Sequence, residues 1–317
     1  MVDHMDSLGP AQKKTVFFTV AGVLFFAAVN QTIVGTSLPK IVASLGGMEY
    51  FSWIFTVYMF TSSIAALIAG KLSDHYGRKK FFFSAILVMM AASFACGLSQ
   101  SMEQLIAFRA CQGIGGGILI SLSFASVSDL FHVRERGKWQ GLLTSTFGLS
   151  SLVGPTLGGA IVDSLHWRWI FWLFLPLGAG ALVILRKYYP KDQPKAAIFH
   201  WDTEGTLFLT LFIAALLVFL GTHDLRLSYA ALAVTPFALG LFIYSEMRAR
   251  DPILPLRLFK KNNFTTANVS GFLLGVSMFG VIIYIPFYLQ GVMALSGLYS
   301  GTMMMTMTVT LVSASAL

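Results

Sequence analysis

Long stretches without a single charged residue, separated by short basic segments, set the rhythm of this chain. Uncharged runs occupy 15–39, 50–70, 81–102, 139–162, 169–185, 205–222, 227–245 and 262–317, and 104–128 is a further apolar stretch with one charge, Arg109. Most exceed the roughly 18 residues that read as a bilayer-spanning helix. Lipid supplies no hydrogen-bond partners, so each run must satisfy its own backbone as a helix. The last run is too long for one span and divides near Gln290–Ser296, behind Pro286. The pattern predicts an all-α polytopic membrane protein of about ten transmembrane helices.

The polar punctuation gives the organisation. Residues 1–14 form a short N-terminal segment, and six spans joined by short loops follow over 15–187. A polar linker at 188–204 leads to an additional helix pair at 205–245. A second basic linker, 246–263, precedes two further helices within 264–317, where the sequence ends in an apolar segment. Six helices, a pair and two more read as one complete bundle and an incomplete second one, so the chain is expected to insert without catalysing coupled transport alone.

Composition supports this reading. Of the 317 residues 56% are hydrophobic, and the mean hydropathy is +0.73; soluble domains are roughly 45–50% apolar. The net charge of +8 could suggest nucleic acid, but its placement argues for topology instead. With the N-terminus in the cytoplasm, 18 of the 22 Lys and Arg fall inside, leaving Lys40, Arg168 and Arg226 outside and Arg109 within a span. That asymmetry is the positive-inside rule. Cys96 and Cys111 both fall inside spans, as small apolar residues rather than a disulfide framework. No phosphate loop, zinc spacing or catalytic constellation stands out, and no metal or cofactor is expected.

Charge concentrates in "GKLSDHYGRKK", residues 70–80, read as a tight cytoplasmic loop between spans two and three. Gly70 and Gly77 permit close helix approach and a positive φ, and Arg78–Lys80 lie where anionic headgroups attract them. Taken alone, Arg78–Lys80 need be only a topology anchor. The ordered pattern G-x-L-x-D-x-x-G-R-K, however, resembles the signature of the major facilitator superfamily. The resemblance implies that Asp74 and Arg78 belong to a switchable gating cluster that clasps the opposite half. Asp129, with Arg134 or Arg136 close in sequence, is implied as a further part of it.

Intramembrane charges cost several kcal/mol by most estimates and usually face a cavity or a partner, which makes Arg109 a functional candidate. The alternative is an arginine about five residues into its helix, snorkelling to the outer interface. Arg109, Gln112 and Gly113 match the family's R-x-x-Q-G motif, whose arginine is associated with proton coupling. Gly113 and Gly117 are also spaced for close helix crossing.

In the fifth span, Gly141, Gly154, Pro155, Gly158 and Gly159 would let two backbones touch, with Pro155 removing a donor. The spacing G-x8-S-x3-G-P-x2-G-G is similar to the antiporter motif of the family's export branch, with Ser150 where glycine is usual, and it implies export. "HWRWIFWLFLPLG" at 166–178 resembles the start of span six in drug exporters, with Phe174 replacing an asparagine. "NQTIVGTSLP" at 30–39 is similar to the first-span motif of fourteen-span drug:proton antiporters, but Asn30 stands where that motif has aspartate. A carboxylate could take up a proton or pair with a cation, and an amide does neither. This departure counts against proton coupling through the first span.

The resemblance implies a major-facilitator-type secondary transporter exporting amphipathic small molecules or drugs in exchange for protons. It would reside in a bacterial-type plasma membrane, N-terminus inside, with the proton gradient rather than a cofactor as its energy source. Asn30, Gln31, Trp53, Tyr58 and Gln112 are substrate-cavity candidates, although Trp and Tyr also serve as interface anchors. Two other readings stay open: a non-transporting membrane binding or assembly protein, and a passive facilitator or uptake symporter.

Overall fold

A computed structural model of the chain describes residues 9–190, 202–222, 224–296, 299–300 and 302–303. Among them all regular structure is helical: α1 (Pro10–Leu45), α2 (Trp53–Tyr76), α3 (Arg78–Leu98), α4 (Met102–Leu130), α5 (Val133–Ser164), α6 (Trp169–Trp172), α7 (Phe174–Tyr188), α8 (Thr203–Gly221), α9 (Leu225–Arg248) and α10 (Asn262–Phe287). Eight spans among the described residues are long and apolar enough to cross a membrane, α6 and α7 counting together as the sixth. The expected ninth span falls on α10, which ends directly behind Pro286 and runs into a π-helical turn at Tyr288–Val292. The start of the expected tenth lies largely outside the described residues.

The chain divides into two compact units, Met1–Lys195 with Val281–Leu317, and Ala196–Gly280. In the first, α1 packs on α5, α2 on α4, and α3 on α4, while α7 covers α1 and α3. Helix α1 is the axis of this bundle. It begins with Pro10 at its first position, where the missing N–H costs nothing, and runs well past the expected 15–39 at both ends. Its extension carries Lys40, whose ammonium donates to the Val162 carbonyl (2.6 Å) and the Asp163 carboxylate (3.1 Å) at the end of α5. Gly46 and Gly47, at φ 72° and 73°, then turn the chain in a region that disfavours residues with a Cβ.

Residues 70–80 are not a loop. Helix α2 continues to Tyr76 and α3 starts at Arg78, so the break is Gly77 alone, at φ 102°. Charged side chains at the membrane edge reach water while their backbone stays helical, so polarity there marks the edge and not the end of the helix.

In the second unit α8 and α9 pack side by side. Asp202 and Asp224 cap their N-termini, accepting from the N–H groups of Gly205 and Arg226. Beyond α9 the Glu246 carboxylate accepts from the N–H groups of Ile253 and Leu254 (3.2 Å each), folding the linker back on its own helix.

Candidate functional site

Two glycine seams build the bundle and position the site. On α4, a Cβ at Gly113 would strike the Tyr58 carbonyl and Thr61, one at Gly116 the Tyr58 hydroxyl, and one at Gly117 the backbone of Ser62. Helices α2 and α4 therefore touch backbone to backbone, as small residues permit in lipid. On α5, Gly154 meets Thr32 and Gly158 meets Ile33 and Thr36. Thr32 Oγ1 donates to the Ser150 carbonyl (3.2 Å) and Thr36 Oγ1 to the Pro155 carbonyl (3.1 Å), two bonds that cross from α1 to α5. Gly159 and Pro155 are buried in this seam. Gly141 is not part of it: it is exposed, and a Cβ there would meet no atom within 4 Å.

The close approach of α1, α2 and α4 encloses Arg109, which is fully buried. Snorkelling is thereby excluded, because the guanidinium points inward. Its Nη1 donates to the Asn30 Oδ1 (3.3 Å) and to the Gln112 Oε1, its Nε reaches the Ile54 carbonyl (3.5 Å), and its Cζ lies 4.2 Å from the centre of the Tyr58 ring. Gln112 passes the chain on, donating through Nε2 to Ser93 Oγ on α3 (2.6 Å). One polar network thus joins four helices. Every partner of the arginine is neutral: two amide oxygens, a backbone carbonyl and an aromatic face. Desolvated cation–π contacts are worth about 2 kcal/mol or more, so Tyr58 is a substantial part of what holds the charge. Arg109 Nη2, Asn30 Nδ2 and the Tyr58 hydroxyl have no hydrogen-bond partner among the described residues.

Four of the expected residues, Asn30, Tyr58, Arg109 and Gln112, therefore meet. Gln31 turns elsewhere, its Nε2 donating to the Met59 thioether (3.3 Å). Trp53 is half-buried at the start of α2, next in sequence to Ile54. Ser93, Thr32 and Thr36 were not anticipated. Thr32 and Thr36 lie within the 30–39 motif, whereas the only signal of Ser93 is a hydroxyl within an apolar run, which most spans also show.

At the basic end, Arg78 is buried and bonds to Asp129 at the end of α4 and to Asp74 one turn back (2.7 Å). Asp129 pairs with neither of the cations near it in sequence. Arg136 instead caps α4, donating to the Phe131 (3.1 Å) and Ser128 (2.7 Å) carbonyls, and Arg134 is exposed. The α4 carbonyls left without partners at the helix end draw the guanidinium, as a cation at a helix C-terminus should be drawn. Gly70 has room for a methyl in ordinary contact with Ser121, so it is not the close-approach glycine its place in the motif implied.

The sequence matches the Major Facilitator Superfamily over residues 20–317, and the chain belongs to that superfamily, one of transporters rather than enzymes. It is a multi-pass membrane protein. It is 38% identical over 98% of its length to the multidrug transporter protein MdtP of Bacillus subtilis, and 35% identical over 92% to multidrug resistance protein 3 of the same organism. The efflux pump FUS6 of Gibberella fujikuroi is 27% identical over 91%. The chain covers 59%, 58% and 54% of those proteins respectively. The human organic anion transporter MFSD10 shares the fold, with a TM-score of 0.63 at 19% identity, over 97% of this chain and 72% of that one.

Proposed function

We propose that this protein is a secondary transporter of the fourteen-span drug-exporting type, moving amphipathic small molecules out of the cell in exchange for protons. It would lie in the plasma membrane with its N-terminus and basic end in the cytoplasm. The observation that carries the reading is the fully buried Arg109, coordinated at once by α1, α2 and its own α4. Its coordination depends on how α1 lies against α4. Carriers of this class work by rocking one bundle against another around a central site, and a shift of α1 within its own bundle during that motion would change the energy of the charge. The multidrug and efflux names of the relatives support the substrate class and the direction. Asp74, Arg78 and Asp129 would hold one conformation at the cytoplasmic edge, and Gln31 and Trp53 would contribute to the substrate path.

The test is accumulation of an amphipathic fluorescent dye in inside-out vesicles from cells expressing the protein, and uptake by residues 1–317 would overturn the expectation that they insert without transporting alone. An imposed proton gradient should drive uptake, and its collapse should abolish it. A second reading, passive facilitation, is favoured by one observation, the neutral Asn30 against Arg109. Steady-state dye that ignores the gradient would select it, and Asn30→Asp would then introduce gradient dependence.

A further inference from the structure

Beside the site, α1 and α7 leave an open apolar groove of about 690 Å³, with Leu157 of α5 at its edge. The geometry points to a binding site for one acyl chain of an anionic phospholipid, its headgroup held by Lys14 and Lys187.

The shape selects a hydrocarbon chain. The groove follows α1 from Thr15 to Val29, about 21 Å at 1.5 Å per residue. That exceeds the ~15 Å of one leaflet's hydrocarbon. Volume over length gives the space open to atom centres a width of about 6 Å, room for one hydrocarbon chain. The walls are carbon. Thr15 and Thr19 line it, but their hydroxyls are turned to their own helix, bonding to the Ala11 (3.0 Å) and Thr15 (2.8 Å) carbonyls.

Its floor is glycine with nothing against it. Gly22 on α1 and Gly180 on α7 both line the groove, and a Cβ at either would meet no atom within 4 Å. This is unlike the seam glycines of α4 and α5, whose missing side chains are replaced by a neighbouring helix. A mid-helix glycine costs up to about 1 kcal/mol relative to alanine. Among the described residues no contact at Gly22 or Gly180 offsets that cost. Phe18, 62% exposed, lines the groove one turn before Gly22.

One mouth is cationic. Tyr188 lines it, and the Lys187 ammonium sits 5.2 Å from the centre of that ring. Lys14 lies one turn before Phe18, on the same face of α1. Neither α1 in its first turn nor the end of α7 carries an acidic residue, and Arg186 adds a third cation, while Glu135 and Lys138 of α5 line a neighbouring pocket with Lys14. Juxtamembrane cations attract anionic headgroups. An acyl chain entering from this end would therefore bring its phosphate against two lysines.

The proposal is tested on the 317-residue protein in detergent by native mass spectrometry, with added palmitoyl-oleoyl phosphatidylglycerol or phosphatidylcholine. One phosphatidylglycerol should be retained per chain in preference to phosphatidylcholine. The exposed pair Lys14→Gln/Lys187→Gln should lower that preference about thirtyfold, and excess glycerol phosphate should not displace the lipid. Gly22→Leu/Gly180→Leu should abolish retention of either lipid with the thermal midpoint unchanged or raised. Equal retention by the glycine variant, an unchanged preference in the lysine variant, or displacement of the lipid by an amphipathic dye would overturn the proposal. None of these readouts depends on transport, so its failure and that of the efflux reading are separable.

Discussion

Helices α1 and α8 are both uncharged over the width of a bilayer, yet 83% of the central window of α1 is buried within the protein against 11% of that of α8. Their threonines differ in the same sense. Thr206 and Thr210 of α8 bond to carbonyls of their own helix, whereas Thr32 and Thr36 of α1 are shared between carbonyls of their own helix and carbonyls of α5. Cross-helix glycine contacts crowd α4 and α5, while Gly240 of α9 has open space at its Cβ position. Apolarity makes a segment span; small and polar residues decide what the span does. The six-span bundle is held by backbone proximity and carries a buried charge, and the α8–α9 pair is apolar in almost every direction.

This contrast can be broken most severely at a seam. Gly117→Leu drives a side chain into the Ser62 backbone, and overpacking of that kind costs about 1–3 kcal/mol or more. We expect loss of most folded protein by fluorescence-detected size exclusion, while Gly240→Leu in the pair leaves the profile unchanged. Next in size is the basic end. Asp129→Asn removes a charged partner of the buried Arg78, a bond worth roughly 2 kcal/mol. Asp74→Asn acts on a side chain that is 56% exposed and should cost under about 1 kcal/mol. Thermal midpoints of the two variants should therefore fall in that order. Between those two falls Thr32→Val/Thr36→Val, which removes two hydroxyl–carbonyl bonds of about 0.6 kcal/mol each in a membrane setting. The matching pair Thr206→Val/Thr210→Val in α8 should shift the midpoint by less.

How far the sequence reveals this depends on whether a feature is local. Spans are local, and the uncharged runs mark them, because a charge within the bilayer is costly anywhere along the chain. The boundary near residue 77 is less legible. Six ionisable residues in 70–80 look like a loop, and only backbone geometry shows that Gly77 alone breaks the helix. Arg109 declares itself as the one charge in a span, but its partners Asn30 and Tyr58 lie 79 and 51 positions away and become neighbours only through the glycine contacts of α4 with α2. Asp129 shows the same limit in reverse: proximity in sequence favoured Arg134 and Arg136, and the fold delivers Arg78.

If Arg109 serves transport and not the fold, Arg109→Leu separates the two directly. Efflux of an amphipathic dye from energised cells would be measured beside the amount and thermal midpoint of folded protein in their membranes. Arg109→Leu relieves a desolvated cation but takes a donor from the buried Asn30 and Gln112 oxygens, a cost of about 1–3 kcal/mol, so the bundle should stay folded while efflux falls to that of cells lacking the protein. Wild-type efflux from the variant, or loss of its folded bundle, would contradict the account.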